Sequence, residues 1–287
     1  MGWSVRGDGG GKSKKTIIMF DDLFKLTQAL SVICRDNGRW FTVADRLDVV
    51  AQKLARTDYQ IVDNCGLYRL YGKRPLDEIH QPLIVVSSHI DCVDEITRCF
   101  SKLEGNDCIK GTYDNLITNA VAVYLMQKGG LPDNVLFAFT GDEEYGSNGA
   151  NDLSKALRPY QVEVVIVVDV TYLGWRDGAM FTVENDFMSD ELKKTVIRTV
   201  NESTDTWRYL PAFLDFIAED VPEENIVRQD AFVDEAWMYD DYDYNCFSFC
   251  LPVLGEMHCD DGVLVRKESL TKYTEMLRKI IFFHNKR

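Results

Sequence analysis

The segment Thr140-Gly-Asp-Glu-Glu-Tyr-Gly-Ser-Asn-Gly-Ala150 places two adjacent glutamates, Glu143 and Glu144, just past an apolar run, Val135 to Phe139. That run reads as a buried strand, and Ala150 to Leu157 as the helix after it. In an open α/β sheet, ligands collect at the carboxyl ends of the strands. Carboxylates held there beside an apolar sheet are costly unless a cation or a metal balances them. Glu144 is therefore read as a metal ligand and Glu143 as the group that handles a proton.

The chain repeats this arrangement. Leu83 to Ser87 is apolar and runs into His89, with Asp91 two residues on. Val162 to Val168 runs into Asp169, and Phe247 to Val253 leads to His258. Asp114 opens a helix after the Gly111-Thr-Tyr turn. A lone histidine is usually a core or surface residue, and a lone aspartate at a helix start is usually a cap. Several such residues at one sheet edge make a ligand set instead. The sequence has four histidines. His80 precedes its strand and so belongs at the opposite edge, and His284 lies in the tail. Two histidines and three carboxylates suit two zinc ions that share a bridging carboxylate and a bridging water. Cobalt or manganese would suit much the same donors. Asp91 is placed to orient His89 by accepting its second N–H.

The elements that must position these groups alternate. Helical spacing is expected over Asp21 to Cys34 and from Ala44 to Arg56, the second opened by a Thr42/Asp45 capping box. Two short strands follow, Tyr59 to Val62 and Leu67 to Tyr71, joined by a turn at 63–66. The strand ending at His89 gives way to a loop of about 20 residues, by the usual loop-length criteria a long one. Helices are expected over Ala120 to Gln127, Ser189 to Asn201 and Ser269 to Phe283, with a strand at Ala179 to Val183. Continuous apolar runs mark parallel strands covered on both faces. The fold class is therefore α/β: a doubly wound, mixed but mainly parallel sheet with helices on both faces. Residues 16–287 read as a single domain, and residues 1–15, Gly-rich and polar, as unstructured or appended. Gly7-Asp-Gly-Gly-Gly-Lys-Ser13 is not a phosphate loop, because Arg6 stands where a glycine is needed and no strand precedes it.

The net charge of −14 disfavours nucleic acid and anionic membranes as partners. Eight cysteines without a CxxC pair read as reduced thiols of a cytoplasmic protein. No apolar run is long enough to span a membrane, and no secretory signal opens the chain.

Taken in order, His-x-Asp, Gly-x-x-Asp-Asn, Asp-Glu-Glu-x-Gly-x-x-Gly-Ala, Asp after an apolar strand and a late His resemble the zinc-dependent exopeptidases of the co-catalytic di-zinc aminopeptidase superfamily. The resemblance spans residues 40 to 285. It implies that His89 and Asp169 bind one zinc, Glu144 and His258 the other, that Asp114 bridges them, and that Glu143 is the general base. It also implies a cis Asp114–Asn115 bond. The 25 residues from His89 to Asp114 leave no room for the inserted domain of the glutamyl-aminopeptidase branch. The 89 from Asp169 to His258 are too few for the dimerisation domain of the carboxypeptidase and deacylase branch. The lidless branch remains, comprising single-domain aminopeptidases and their glutaminyl-cyclase relatives. Val168-Asp169-Val-Thr171 and Met257-His258 nonetheless look like the glutamyl-aminopeptidase branch.

The implied substrate is a peptide or an amino-acyl small molecule, cleaved at its N-terminal residue. Its ammonium would be held by acids among Asp215, Glu219, Asp220, Asp230, Asp234, Asp240, Asp241 and Asp243, and its oxyanion helped by a tyrosine between 239 and 244. A deacylase, a carboxypeptidase, a one-zinc glutaminyl cyclase and a non-catalytic metal-binding relative are the alternatives on the same core. Thr112-Tyr113 and Leu116-Ile-Thr118 depart from the small residues usual around the bridging aspartate and are expected to narrow the pocket.

Overall fold

The computed structural model describes residues 10–34, 45–214 and 217–284. Four long apolar segments form its centre: β3 (Leu83–His89), β6 (Val135–Thr140), β7 (Val162–Thr171) and β10 (Cys246–Pro252). They lie side by side and parallel in the order β6-β3-β7-β10. On one flank β2 (Tyr68–Gly72) pairs antiparallel with β6, and β1 (Gln60–Asn64) pairs antiparallel with β2. On the other, β8 (Phe181–Phe187) pairs antiparallel with β10, and β9 (Trp207–Leu210) runs parallel to β8. This is the mixed, mainly parallel α/β sheet that the apolar runs predict.

Strand alternation divides the core between two faces. Ile84 and Val86, Phe137 and Phe139, and Ile166 and Val168 point to one face. Val85, Leu136, Ala138, Val165 and Val167 point to the other. The first face is covered by α1 (Gly10–Ala29), α2 (Asp45–Leu54), α3 (Leu116–Lys128), α5 (Asp190–Asn201) and α7 (Lys267–His284). The second carries α4 (Asn148–Leu157) and α6 (Glu235–Asp240). No described helix is long and apolar enough to cross a membrane.

Several boundaries differ from the sequence reading. Helix α1 starts at Gly10, inside the segment expected to be unstructured, because the lysines of 12–15 favour helix and no proline interrupts the run. It stops at Ala29 rather than Cys34, and the Val32 carbonyl is instead taken by Arg46 Nε at 3.1 Å. The Thr42/Asp45 box lies outside the described residues. The expected long loop contains a hairpin, β4 (Ser101–Glu104) and β5 (Cys108–Gly111), which β11 (Val263–Arg266) completes as a second, three-stranded antiparallel sheet. Helix α6 lies in the acidic stretch before β10 and is capped by the Asp234 carboxylate, which accepts from the Ala236 N–H at 2.9 Å.

The order of the strands sets up the site. From β3 the chain crosses through α3 to lay β6 on one side, then returns through α4 to lay β7 on the other. The carboxyl ends of β6 and β7 therefore flank that of β3, an arrangement that opens a crevice above the sheet.

Candidate functional site

His89 is the last residue of β3, and Asp169 stands near the end of β7. Glu143 and Glu144 lie in the turn after β6, Asp114 just before α3, and His258 between β10 and β11. Local packing explains why the glutamate turn holds its shape. Gly149 donates to the Gly141 carbonyl at 2.9 Å, folding the segment back on itself. A Cβ on Gly149 would stand 2.5 Å from the Leu67 carbonyl oxygen and 2.6 Å from backbone atoms of Gly141. Gly111, before the aspartate, is equally constrained, since its Cβ would meet the Phe100 carbonyl oxygen.

The side chains converge. Asp114 directs Oδ1 at His89 Nε2, 3.0 Å away, and Oδ2 at His258 Nε2, 3.2 Å away. Asp169 Oδ1 lies 3.8 Å from His89 Nε2, and Glu144 Oε2 lies 3.4 Å from His258 Nε2. Two triads result, His89/Asp114/Asp169 and Asp114/Glu144/His258, each with ligand atoms within 4.8 Å of one another and with Asp114 common to both. A third, His89/Glu143/Glu144, brings Glu143 into the same space. The Asp114–Asn115 bond is cis. Asn115 Nδ2 donates to the Val168 carbonyl at 2.8 Å, which fixes that turn to β7.

Asp91, fully buried, faces both halves of the cluster. Its Oδ1 is 3.3 Å from His89 Nδ1, and its Oδ2 accepts from the Glu144 N–H at 3.4 Å. Asn119 Nδ2 donates to the His89 carbonyl at 2.8 Å.

Burial pushes Glu143 up to about 9 and Glu144 up to about 8, with neighbouring carboxylates adding to the rise. Burial opposes ionisation of Asp114 as well, but hydrogen bonds from His258 and His89 outweigh it and hold this carboxyl below its ordinary range. His258 is raised to about 9, chiefly by its hydrogen bond to Asp114. His89 is raised although burial opposes it, because Asp114, Asp169 and Asp91 all bond to it. Four carboxylates and two imidazoles crowded into one partly dry site could hold a divalent cation, and nitrogen and oxygen donors in two overlapping triads are of the types that zinc takes.

The cluster opens into a cavity of about 590 Å³. Its other wall carries Tyr172, Phe232, Trp237 and Met257 with three further acids, Glu184, Asp234 and Asp241. Burial raises Glu184 to about 7 and Asp234 to about 6. No described lysine or arginine pairs with either of them. Of the eight acids expected around the substrate, Asp234 and Asp241 line this cavity. Glu219 and Asp220 border a separate depression beside α5, and Asp215 lies outside the described residues. Glu184 lies one residue past the strand expected at Ala179 to Val183, on the strand face of Thr182, and belongs to none of the motifs.

Two expectations are corrected. The tyrosines of 239–244 turn away from the cavity: Tyr239 meets Ser87 Oγ, Tyr242 donates to Asn151 and Tyr244 to the Ser154 carbonyl. The cavity's own tyrosine is Tyr172, whose hydroxyl accepts from the Met257 N–H at 3.0 Å. Tyr113 and Leu116-Ile-Thr118 do not narrow the pocket, because they are fully buried in the core and its wall does not include them.

A sequence model described as Peptidase family M28 matches residues 69–221, more than half of the chain. No curated protein matches it at the sequence level. Among solved structures, aminopeptidase PepT from Bacillus cereus is similar, with TM-score 0.63 and 11% identity, covering 93% of this chain and 98% of that one. The Pyrococcus horikoshii TET1 peptidase, which assembles into a tetrahedron or a large octahedral shell, has TM-score 0.61 and 12% identity, covering 91% and 98%. Glutaminyl cyclase from Porphyromonas gingivalis has TM-score 0.59 and 14% identity, covering 92% and 97%. At these identities the likeness is one of fold.

Proposed function

Because this chain belongs to peptidase family M28, we propose that it is a two-zinc aminopeptidase that removes N-terminal residues from peptides. The observation that carries this reading is the double engagement of Asp114, whose two oxygens face two separate histidines, each with its own second carboxylate. In this reading His89 and Asp169 hold one ion, Glu144 and His258 the other, and Asp114 spans both. When bound, the ions would supply Lewis acidity and lower the pKa of a coordinated water.

The chain's own residues do the rest. Asp91 fixes the His89 ring through Nδ1, leaving Nε2 directed into the site. Glu143 takes the proton of the attacking water and passes it to the departing amine. Burial alone would keep Glu143 protonated, and cationic charge beside it acts in the opposite sense, toward a carboxyl that can both accept and release a proton near neutrality. Glu184 and Asp234, without cationic partners, suit the substrate's ammonium group. Phe232, Trp237 and Met257 supply an apolar wall for its first side chain. Tyr172 stands at the same cavity as a donor for the developing oxyanion. The free cysteines fit a reducing compartment such as the cytoplasm.

The test is metal content per chain for the wild type and Glu144→Ala, alongside hydrolysis of a panel of amino-acid amides. Two zinc ions falling on mutation, with turnover abolished by Glu143→Ala, would bear the proposal out. One zinc, no amide turnover and cyclisation of N-terminal glutamine would favour a glutaminyl cyclase instead. Metal without either activity would point to a binding module.

A further inference from the structure

Away from the cavity, Arg46 is fully buried. Its Nε donates to the Val32 carbonyl and its Nη1 to the Ile90 carbonyl at 2.9 Å. Its Nη2 donates to two sulfurs, Cys92 Sγ at 3.0 Å and Cys99 Sγ at 3.5 Å. Among the described residues no carboxylate contacts it. A guanidinium cannot shed its charge, and burying it without a counter-ion costs several kcal/mol by the usual desolvation argument. The ionisable groups within reach are thiols, and a thiolate is a much stronger acceptor than a neutral thiol. Cys92 and Cys99 also bond to each other, and the Cys34 backbone N–H points at Cys92. Their mutual hydrogen bond splits the pair: Cys92 is lowered, with Arg46 adding to the effect, and Cys99 is raised. One negative charge shared by two sulfurs over Arg46 satisfies all three groups.

We propose that Cys92 and Cys99 form a redox-modification site, at which hydrogen peroxide converts the thiolate–thiol pair over Arg46 into a reversible disulfide. The Cys92 thiolate attacks one peroxide oxygen. An S–O bond forms, the O–O bond breaks, and the departing hydroxide takes the Cys99 proton to become water. Cys99 then attacks the Cys92 sulfur. The S–S bond forms, the S–O bond breaks, and a second hydroxide leaves. The pair gives up two electrons and the peroxide accepts them. A dithiol reverses the change. Cys99 is partly exposed, which gives a small oxidant access, whereas Cys92 is 4% exposed, which excludes bulky reagents. Cys92 directly follows Asp91, the partner of His89, so the modification sits three residues after the candidate ligand His89. The reaction itself requires no metal and no peptidase activity.

The experiment treats the full chain with hydrogen peroxide, alkylates the remaining thiols and maps the peptides by mass. A Cys92–Cys99 cross-link that disappears with dithiothreitol is expected, formed ahead of oxidation at the exposed Cys65. Its rate should stay nearly constant from about pH 6 to 8, whereas an ordinary thiol reacts about tenfold faster per pH unit in that range. In Cys99→Ser the intermediate should persist as a sulfenic acid on Cys92, which dimedone labels once the peroxide-treated chain is unfolded in denaturant. Free Cys92 and Cys99 after Cys65 has been oxidised would overturn the proposal. So would a Cys34 cross-link in place of Cys99, or a rate that climbs tenfold per pH unit.

Discussion

Asp114 and His258, 144 residues apart in the chain, stand 3.2 Å apart at Oδ2 and Nε2, while the other Asp114 oxygen meets His89. One side chain thus joins two triads. Asp114→Ala should therefore remove both ions, whereas His258→Ala should remove one and leave the His89/Asp169 position occupied. Metal analysis after gel filtration distinguishes the two. Equal loss in both variants would show that the triads do not bind independently.

Glu143 belongs to neither of the two ligand triads that share Asp114. Glu143→Gln should lower kcat by about 10²–10⁴, the usual contribution of a general base, while zinc content stays at the wild-type level. Steady-state kinetics on an amino-acid amide with parallel metal analysis checks both halves. A variant that loses metal together with activity would make Glu143 a ligand.

Asp91 acts through His89 and through the Glu144 backbone. Asp91→Asn should weaken zinc binding about 10–100-fold, as loss of a carboxylate behind a ligating histidine typically does. Competition against a chromophoric chelator gives the affinity, and excess zinc should restore most of the turnover. A variant that cannot be rescued by zinc would assign Asp91 a different role.

Glu235 is buried behind β3, where Ser87 Oγ donates to its Oε2 at 3.0 Å. Burial raises it from 4.5 to about 7. Between those values the folded chain keeps a proton that the unfolded chain has released, so stability falls as pH rises through the window and levels off above it. Glu235→Gln removes that loss. Relative to the wild type in the same metal state, it should gain roughly 3 kcal/mol between pH 4.5 and pH 8. Urea unfolding at the two pH values measures this, and a pH-independent difference would refute it.

Backbone atoms of Leu67 and Gly141 crowd the missing Cβ of Gly149. Gly149→Ala must move the turn that carries Glu143 and Glu144 and should cost several kcal/mol, as a steric clash with fixed backbone does. Thermal unfolding should show a large drop in Tm. Zinc retention should fall too, because the displaced turn includes Glu144.

The central strands and most of the candidate cluster were legible in the sequence, and for one reason. Parallel strands buried on both faces must be apolar along their buried length, so Val135 to Phe139 and Val164 to Val168 stand out, and polar residues at their ends stand out in turn. The hairpin of β4 and β5 left no such trace. Its strands have four residues each and expose lysine and glutamate, and they gain a third partner from β11, far away in the chain. The tyrosines of 239–244 could be counted but not aimed, because partners on β3 and α4, distant in the chain, decide which way they point. Glu184 sits among other polar residues of β8 and belongs to no motif, and nothing in sequence links Arg46 to Cys92 and Cys99.

By itself, then, the sequence determined the α/β class, the strand ends and the types of donor available there, since these follow from local periodicity and composition. Only the tertiary structure decided that Asp114 faces two histidines, that Glu184 and Asp234 share a cavity with Asp169, and that a buried arginine has thiols for company. These are contacts between residues distant along the chain. They are set by how helices and strands pack once the sheet has formed, which no local pattern encodes.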